Sequence, residues 1–269
     1  MDTTLNSIAL SAADAGRGLP LVFLHGFPLS RGAWREQIDA FRASYRVIAP
    51  DLRGVGDSGT QPGPATMAQC AADVHALLRQ LTTGPVVLIG HSMGGYVALA
   101  FARRFPDMLR GLVLVGTRAG PDTAEGAAGR RETAAKVKAG GVDVVIDAMA
   151  LRMLAAGNQD ASMLEQVRGL MTSSTPAGVI GALLGMARVD LGGHDPRDGG
   201  PALMARVSRA ALRRSPADSG GCGPRNSPAG YRSRRWISNG LGILAENKPV
   251  RRRSDVRSSG RSDSGEGQN

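Results

Sequence analysis

The chain has 269 residues, enough for one large α/β domain with a sizeable core or for two small domains. Its two cysteines, Cys70 and Cys222, cannot form a disulfide framework or a cysteine-based zinc site, and they fit a reducing compartment. No run approaches the ~20 apolar residues that span a bilayer, and residues 1–15 lack the pattern of a signal peptide. We therefore expect a soluble, cytoplasmic protein without a membrane partner.

The net charge of +10 is concentrated in the last third of the chain. Residues 1–187 hold 17 Lys and Arg against 15 Asp and Glu, whereas residues 188–269 hold 16 against 8. A basic segment of this kind can bind nucleic acid. It contains only two aromatic residues, Tyr231 and Trp236, so base stacking is poorly provided, and we expect no nucleic-acid partner.

Short apolar runs alternate with amphipathic segments over the first 118 residues. The runs predict buried strands, and the segments between them, with apolar residues three and four apart, predict helices. This alternation is typical of a parallel sheet covered by helices on both faces. The predicted strands are 21–24, 46–50, 86–89 and 112–115, and the predicted helices are 31–42, 67–81 and 93–105.

The pattern changes from about Gly120. Residues 121–187 contain no strand-like run and predict about four helices, broken near Gly140, Gly157 and Ser173. Half of the ten methionines lie in this segment: Met149, Met153, Met163, Met171 and Met186. Methionine adapts its shape, so these residues either line a surface over a variable ligand or pack the helices together. The sequence leaves both interpretations open.

The motif G-x-S-x-G occurs at Gly90-His91-Ser92-Met93-Gly94. The serine of this motif sits on a tight strand-to-helix turn with strained backbone angles, which requires small flanking residues. Here the motif follows a predicted strand and opens a predicted helix, which is the context it needs. We therefore predict that Ser92 is a nucleophile.

A second motif, H-G-F-P, follows the first predicted strand at residues 25–28. Acyl transfer needs a loop that presents a backbone N–H to the developing oxyanion, together with an N–H after the nucleophile. The N–H groups of Phe27 and Met93 are the natural pair.

Residues 20–118 resemble the α/β-hydrolase superfamily. The resemblance is carried by H-G-F-P, D-L-R-G-V-G-D-S, G-H-S-M-G-G and L-V-L-V-G-T, in that order. It implies the α/β-hydrolase fold, Ser92 as nucleophile, and Phe27 and Met93 as oxyanion donors. It also implies a structural role for the loop from Asp51 to Ser58, and a helical cap at residues 120–187. Similarity to esterases, enol-lactonases and cofactor-free haloperoxidases implies a small ester or lactone substrate and no cofactor or metal.

The base and the acid that should accompany the serine are harder to find. In this fold the order along the chain is Ser, then Asp or Glu, then His. Only His194 lies downstream of the helical segment, and it is a weak base candidate because no predicted strand precedes it. The neighbouring acids are Asp190, Asp195 and Asp198, and Asp122 is a remote alternative. We assign His25 to the oxyanion loop, His75 to the flank or surface of a helix, and His91 to the elbow position before the nucleophile.

These observations divide the chain into a core at 1–119, a cap at 120–187 and a basic tail at 188–269. The tail has 15 Arg but one Lys, and it is rich in Gly, Pro and Ser. Its only helix-like run is a weak one at 202–213, and its apolar content is below that of a packed domain, so we expect disorder and missing C-terminal strands. We hypothesise that the tail is an out-of-frame product. The chain would then be a hydrolase scaffold without a complete triad.

Overall fold

The computed structural model describes residues 8–81, 84–154 and 160–189, together with the backbone at 202–205, 237–238 and 241–242. The strands are β1 (Ala12–Ala15), β2 (Pro20–Leu24), β3 (Arg46–Pro50), β4 (Val86–His91), β5 (Leu109–Val115), β6 (Ala202–Ala205), β7 (Ile237–Ser238) and β8 (Leu241–Gly242). The α-helices are α1 (Arg35–Phe41), α2 (Met67–Leu81), α3 (Met93–Arg104), α4 (Ala124–Gly140), α5 (Asp143–Met153), α6 (Ala161–Met171) and α7 (Pro176–Met186).

A six-stranded sheet has the order β1-β3-β2-β4-β5-β6 and is parallel except for β1, while β7 and β8 form a separate antiparallel pair. The four predicted strands are confirmed as β2 to β5. The predicted helices are also confirmed, with a short 3-10 turn, Arg31–Trp34, preceding α1. The sequence did not reveal β1, because Ala-Ala-Asp-Ala has little strand propensity and the segment gains its order by pairing with β3.

The largest apolar cluster lies on the face of the sheet that α2 and α3 cover. Its fully buried side chains include Leu24, Leu88 and Phe101. On the other face, Trp34 packs against Phe23 with ring centroids 5.1 Å apart. Trp34 is therefore a core residue, and β4 lies between the two clusters, since its residues pack into both.

The four helices predicted between residues 121 and 187 are confirmed as α4 to α7. They share apolar clusters with the rest of the molecule, since Val137 and Val179 pack with the first cluster and Ile146 packs with Leu29. Of the five methionines, Met171 and Met186 are 1% and 3% exposed. These two side chains pack the helices together, which is the second of the two interpretations.

The loop after β3 fastens this helical segment to the sheet. Gly54 has a φ of +77° and lies against Gly178 of α7, where a methyl group on Gly178 would come within 1.9 Å of the Gly54 carbonyl oxygen. The amide of Gly56 also donates to the Ser173 carbonyl at 2.9 Å. Only glycine at both contact positions permits so close an approach of two backbones.

Ion pairs with two buried carboxylates also hold this loop in place. Asp51 is 2% exposed and accepts hydrogen bonds from the Arg31 amide at 2.7 Å and the Arg31 guanidinium at 2.6 Å. Arg53 makes a two-pronged pair with Asp73 of α2, at 2.7 and 2.8 Å. These contacts give the loop the structural role that the resemblance implied.

The backbone corrects one prediction for the tail. The weak helix expected over 202–213 is wrong at 202–205, which form β6 and pair in parallel with β5. Ladder hydrogen bonds to a neighbouring strand outweigh local helix propensity, which is a weak preference. Three short strands, β6, β7 and β8, thus follow the helical segment among the described residues, where we expected none. Most of residues 188–269, including His194, Asp190, Asp195 and Asp198, lie outside the described residues.

Candidate active site

Ser92 is the single residue between β4 and α3. Its backbone angles are φ +51° and ψ −113°, and it is the only non-glycine residue with a positive φ in the part of the chain that the structure describes. Side chains rarely adopt this conformation, which costs about 1–3 kcal/mol. Ser92 is half-buried. It lies on a sharp, strained turn at the carboxyl end of β4.

The glycines on either side of Ser92 make the turn possible. A methyl group on Gly90 would lie 2.5 Å from the Gly94 carbonyl oxygen, and one on Gly94 would lie 2.3 Å from the Leu24 carbonyl oxygen. Both obstacles are backbone atoms, which cannot move aside as a flexible side chain can. The spacing of the motif therefore follows from α3 packing directly on the ends of β2 and β4.

Three hydrogen bonds hold the Ser92 backbone in place. Its amide donates to the Val115 carbonyl at 2.9 Å, which ties the turn to the end of β5. Its carbonyl accepts from the Gly95 amide at 2.9 Å and from the Thr117 hydroxyl at 2.8 Å. Sequence reasoning missed Thr117, since its role depends on the pairing of β4 with β5 and has no local signature.

The loop after β2 lies beside the serine. A methyl group on Gly26 would come within 3.2 Å of Ser92 Cβ, so the two segments are in direct contact. The Leu29 amide donates to the Gly26 carbonyl at 2.9 Å and closes the turn, which contains a cis peptide bond between Phe27 and Pro28.

The two N–H groups predicted as oxyanion donors are placed on these two segments. Met93 is the first residue of α3, so its N–H has no acceptor within the helix. The Phe27 N–H donates to no protein acceptor among the described residues. Phe27 is half-buried and Met93 is 3% exposed. Met93 directly follows Ser92, and Phe27 directly follows Gly26, which lies against Ser92.

His25 is a structural residue. It is fully buried, its Nε2 accepts from the Leu52 amide at 2.9 Å, and its Nδ1 lies 3.1 Å from the Gly26 carbonyl oxygen. Burial lowers the pKa of His25, so the ring is neutral, with the hydrogen on Nδ1. The ring therefore joins the loop after β2 to the loop after β3.

The other described histidines also have structural surroundings. His91 packs edge-on against Trp34, with ring centroids 6.3 Å apart, and burial lowers its pKa. His75 stacks on Phe105 at 3.9 Å, beyond the far end of α3 from Ser92. Among the described residues, no histidine is thus placed as the base for Ser92, and the candidate base, His194, lies outside them.

Asp122, the remote candidate for the acid, is paired with two arginines. Its side chain is 5% exposed and binds both Arg118 and Arg130. The hydrogen bond from Arg130 is the main cause that lowers the pKa of Asp122. Arg118 also donates to the Tyr96 hydroxyl at 3.1 Å. Asp122 therefore joins the end of β5 to α4, and its charge is neutralised there.

The described residues offer no competing thiol nucleophile. Cys70 is 2% exposed, and desolvation by burial is the main cause that raises its pKa to about 12. A thiol in this state is not ionised at neutral pH and cannot attack a substrate. In the described ranges, no three His, Cys, Asp or Glu side chains come together as a metal site, and no helix is long and apolar enough to cross a membrane.

Comparisons with known proteins agree with this geometry. Residues 20–142 match the family described as alpha/beta hydrolase fold. In the solved structure of an esterase from Thermogutta terrifontis, 74% of the chain superimposes on 73% of this chain, with 41% identity and a TM-score of 0.70. The chain belongs to the α/β-hydrolase superfamily.

Curated relatives match over a shorter range. The soluble epoxide hydrolase of Corynebacterium sp. (strain C12) is 40% identical over 111 residues, which are 41% of this chain and 39% of that enzyme. The non-heme chloroperoxidase CPO-A1 of Kitasatospora aureofaciens is 38% identical over 115 residues, which are 42% of each chain. The chain thus spans about two fifths of the length of these relatives.

Proposed function

We propose that this protein is a serine hydrolase that cleaves a small carboxylic ester or lactone through an acyl-enzyme. The observation that carries the proposal is the position of Ser92, strained on the strand-to-helix turn, beside the N–H groups of Phe27 and Met93. A serine in a costly conformation, next to N–H groups that have no acceptor among the described residues, is the arrangement that acyl transfer requires.

The proposed chemistry has two steps. The Ser92 hydroxyl attacks the carbonyl carbon and gives its proton to a base, while the N–H groups of Phe27 and Met93 bind the oxyanion. The carbon–oxygen bond of the ester breaks, and the alcohol leaves with the proton from the base. Water then attacks the acyl-serine in the same way, which releases the acid and restores the hydroxyl.

The proposed chemistry also needs a base, which the described residues do not supply. His194 is the candidate that the order Ser, acid, His leaves in this sequence; of the neighbouring acids, Asp190 fits that order, whereas Asp195 and Asp198 follow the histidine. All four lie outside the described residues. The competing interpretation is a scaffold that binds a ligand without turnover, because loss of one triad member removes most of the activity of the whole set.

The substrate class rests on the comparison with the esterase at 41% identity. Residues 120–187, proposed as a cap, support a small substrate, because α4, α5 and α7 share an apolar cluster with Met93 and Tyr96 at the start of α3. A peroxide-dependent activity is the alternative, which the 38% identity to a chloroperoxidase favours.

The experiment is labelling of the full chain with a fluorophosphonate probe, combined with turnover of p-nitrophenyl acetate. We expect labelling of the native chain and of Ser44→Ala, an exposed control serine, but none of Ser92→Ala. Absence of labelling in the native chain would support the inactive scaffold. Loss of labelling in His194→Ala would assign the base, whereas unchanged labelling would exclude His194. Parallel assays with an epoxide and with peroxide plus halide separate the possible activities.

A further inference from the structure

A cavity lies away from Ser92. It has a volume of about 410 Å³ and is formed by the start of α2, the end of α3 and the end of α7. Since Arg103 and Arg104 lie 11 and 12 residues after Ser92 along α3, a rise of about 1.5 Å per residue separates this cavity from the nucleophile by roughly 17 Å. The cavity is therefore distinct from the proposed active site.

Three arginines surround this cavity: Arg103, Arg104 and Arg188. None of them forms a salt bridge with a carboxylate among the described residues, and no acidic side chain is part of the described lining. Arg104 lies over the Phe105 ring, 5.6 Å from its centroid. Three guanidinium groups around one cavity, with no carboxylate among its described lining residues, create a positive potential there.

Helix ends account for only part of this arrangement. Arg103 and Arg104 close α3, and Arg188 follows α7, positions where a cation interacts well with the helix dipole. Each of these two helix ends offsets about half a charge, so the cavity stays positive. The positive end of α2, with the backbone of Met67 and Ala68 in the lining, adds to the same sign.

The floor of the cavity is apolar. Met67, Ala100 and Val189 line the cavity together with the arginines, and they are only 5%, 8% and 7% exposed. Cavities of a few hundred Å³ with an apolar wall and a few charged groups are typical sites for small molecules. Guanidinium groups prefer carboxylate and phosphate as partners.

We propose that this cavity binds a small organic anion, whose acidic group pairs with Arg103, Arg104 and Arg188 and whose apolar part covers Met67 and Val189. The site is separate from the chemistry at Ser92. A chain that does not hydrolyse esters can therefore still bind the anion, and a hydrolase can still fail to bind it.

Calorimetric titration with hexanoate, and with hexanol as its neutral analogue, tests the site on the full chain. We expect hexanoate to bind more tightly than hexanol. The double variant Arg103→Gln/Arg188→Gln should weaken hexanoate about 5-fold, as two surface charge pairs of ordinary strength predict. The control Arg110→Gln/Arg131→Gln removes two exposed arginines elsewhere and should leave the affinity unchanged.

Two outcomes of the titration would overturn the proposal. One is equal affinity of the native chain for hexanoate and hexanol. The other is equal hexanoate affinity of the two double variants, which would place the anion elsewhere, for example at Ser92.

A second measurement uses His75 as a reporter. Burial chiefly lowers the pKa of His75, and the charges of Arg79 and Arg104 lower it further. An anion bound to Arg104 should therefore raise the pKa of His75 in an NMR titration at saturating hexanoate. An unchanged pKa would show that the anion does not bind at Arg104, which also contradicts the site.

Discussion

The strained backbone of Ser92 leads to a prediction with an unusual sign: glycine at this position should stabilise the protein. A φ of +51° with a ψ of −113° lies outside the regions that residues with a side chain populate. Replacement by alanine removes the hydroxyl and keeps this strain, whereas replacement by glycine removes both. Comparison of Ser92→Gly with Ser92→Ala therefore isolates the backbone contribution.

The magnitude follows from two opposing effects. Relief of the strain should contribute about 1–3 kcal/mol, and the greater flexibility of unfolded glycine should cost about 0.5–1 kcal/mol. The net of these two ranges is about 0–2.5 kcal/mol, so we expect Ser92→Gly to be more stable than Ser92→Ala by ~1 kcal/mol, which corresponds to a melting temperature higher by a few degrees. Urea unfolding of both variants, followed by circular dichroism, measures the difference.

The control is the same alanine-to-glycine change at an ordinary helical position. Ala128 is exposed within α4, where Ala128→Gly should destabilise the protein by about 0.5–1 kcal/mol. The two changes should thus have opposite signs. If Ser92→Gly is no more stable than Ser92→Ala, the turn holds no strain at Ser92, and the argument for a nucleophile loses its main support.

Two further predictions concern charged pairs. Arg53→Met should destabilise the protein by about 3–5 kcal/mol in urea unfolding, because it leaves the buried carboxylate of Asp73 unpaired, while Arg42→Met, in an exposed pair, should change stability by less than about 1 kcal/mol. Similar losses in both variants would refute this. Since Arg130 is the main cause of the lowered pKa of Asp122, the stability from this carboxylate is complete above its unfolded pKa of about 4 and is lost as the pH falls through the folded pKa. Asp122→Asn should therefore flatten the acid-side decline in melting temperature, and an unchanged decline would show that other groups cause it.

The sequence predicted the elements whose signal is local. The strands β2 to β5 are continuous apolar runs. Thr66 and Thr175, which precede α2 and α7, are residue types that favour N-caps, and their hydroxyls accept hydrogen bonds from the amides of Gln69 and Gly178. The strands β1 and β6 lack a local signal. Their order comes from pairing with β3 and β5, which a linear pattern does not record.

The candidate site divides in the same way. Ser92 and Met93 could be predicted because the elbow is a single turn, and its steric needs are written in five consecutive residues. The loop at Phe27 could be predicted because its motif follows a strand directly. Thr117 was missed, since it reaches Ser92 only through the pairing of β4 with β5. A base and an acid come from distant segments, so only the folded chain places them, and local patterns left His194 a weak candidate.

The cavity at Arg103, Arg104 and Arg188 shows the same limit for binding sites. The two arginines at the end of α3 look like ordinary helix-ending cations in the sequence, and Arg188 is separated from them by more than 80 residues. What distinguishes them is the packing of α7 and α2 against α3, with no carboxylate of the described lining between them. Each of these arginines is an ordinary cation at the end of its own helix, and together they form a candidate site only because the ends of α2, α3 and α7 meet. The hexanoate titration therefore tests whether α3 and α7 bring these arginines together, as well as whether the cavity binds an anion.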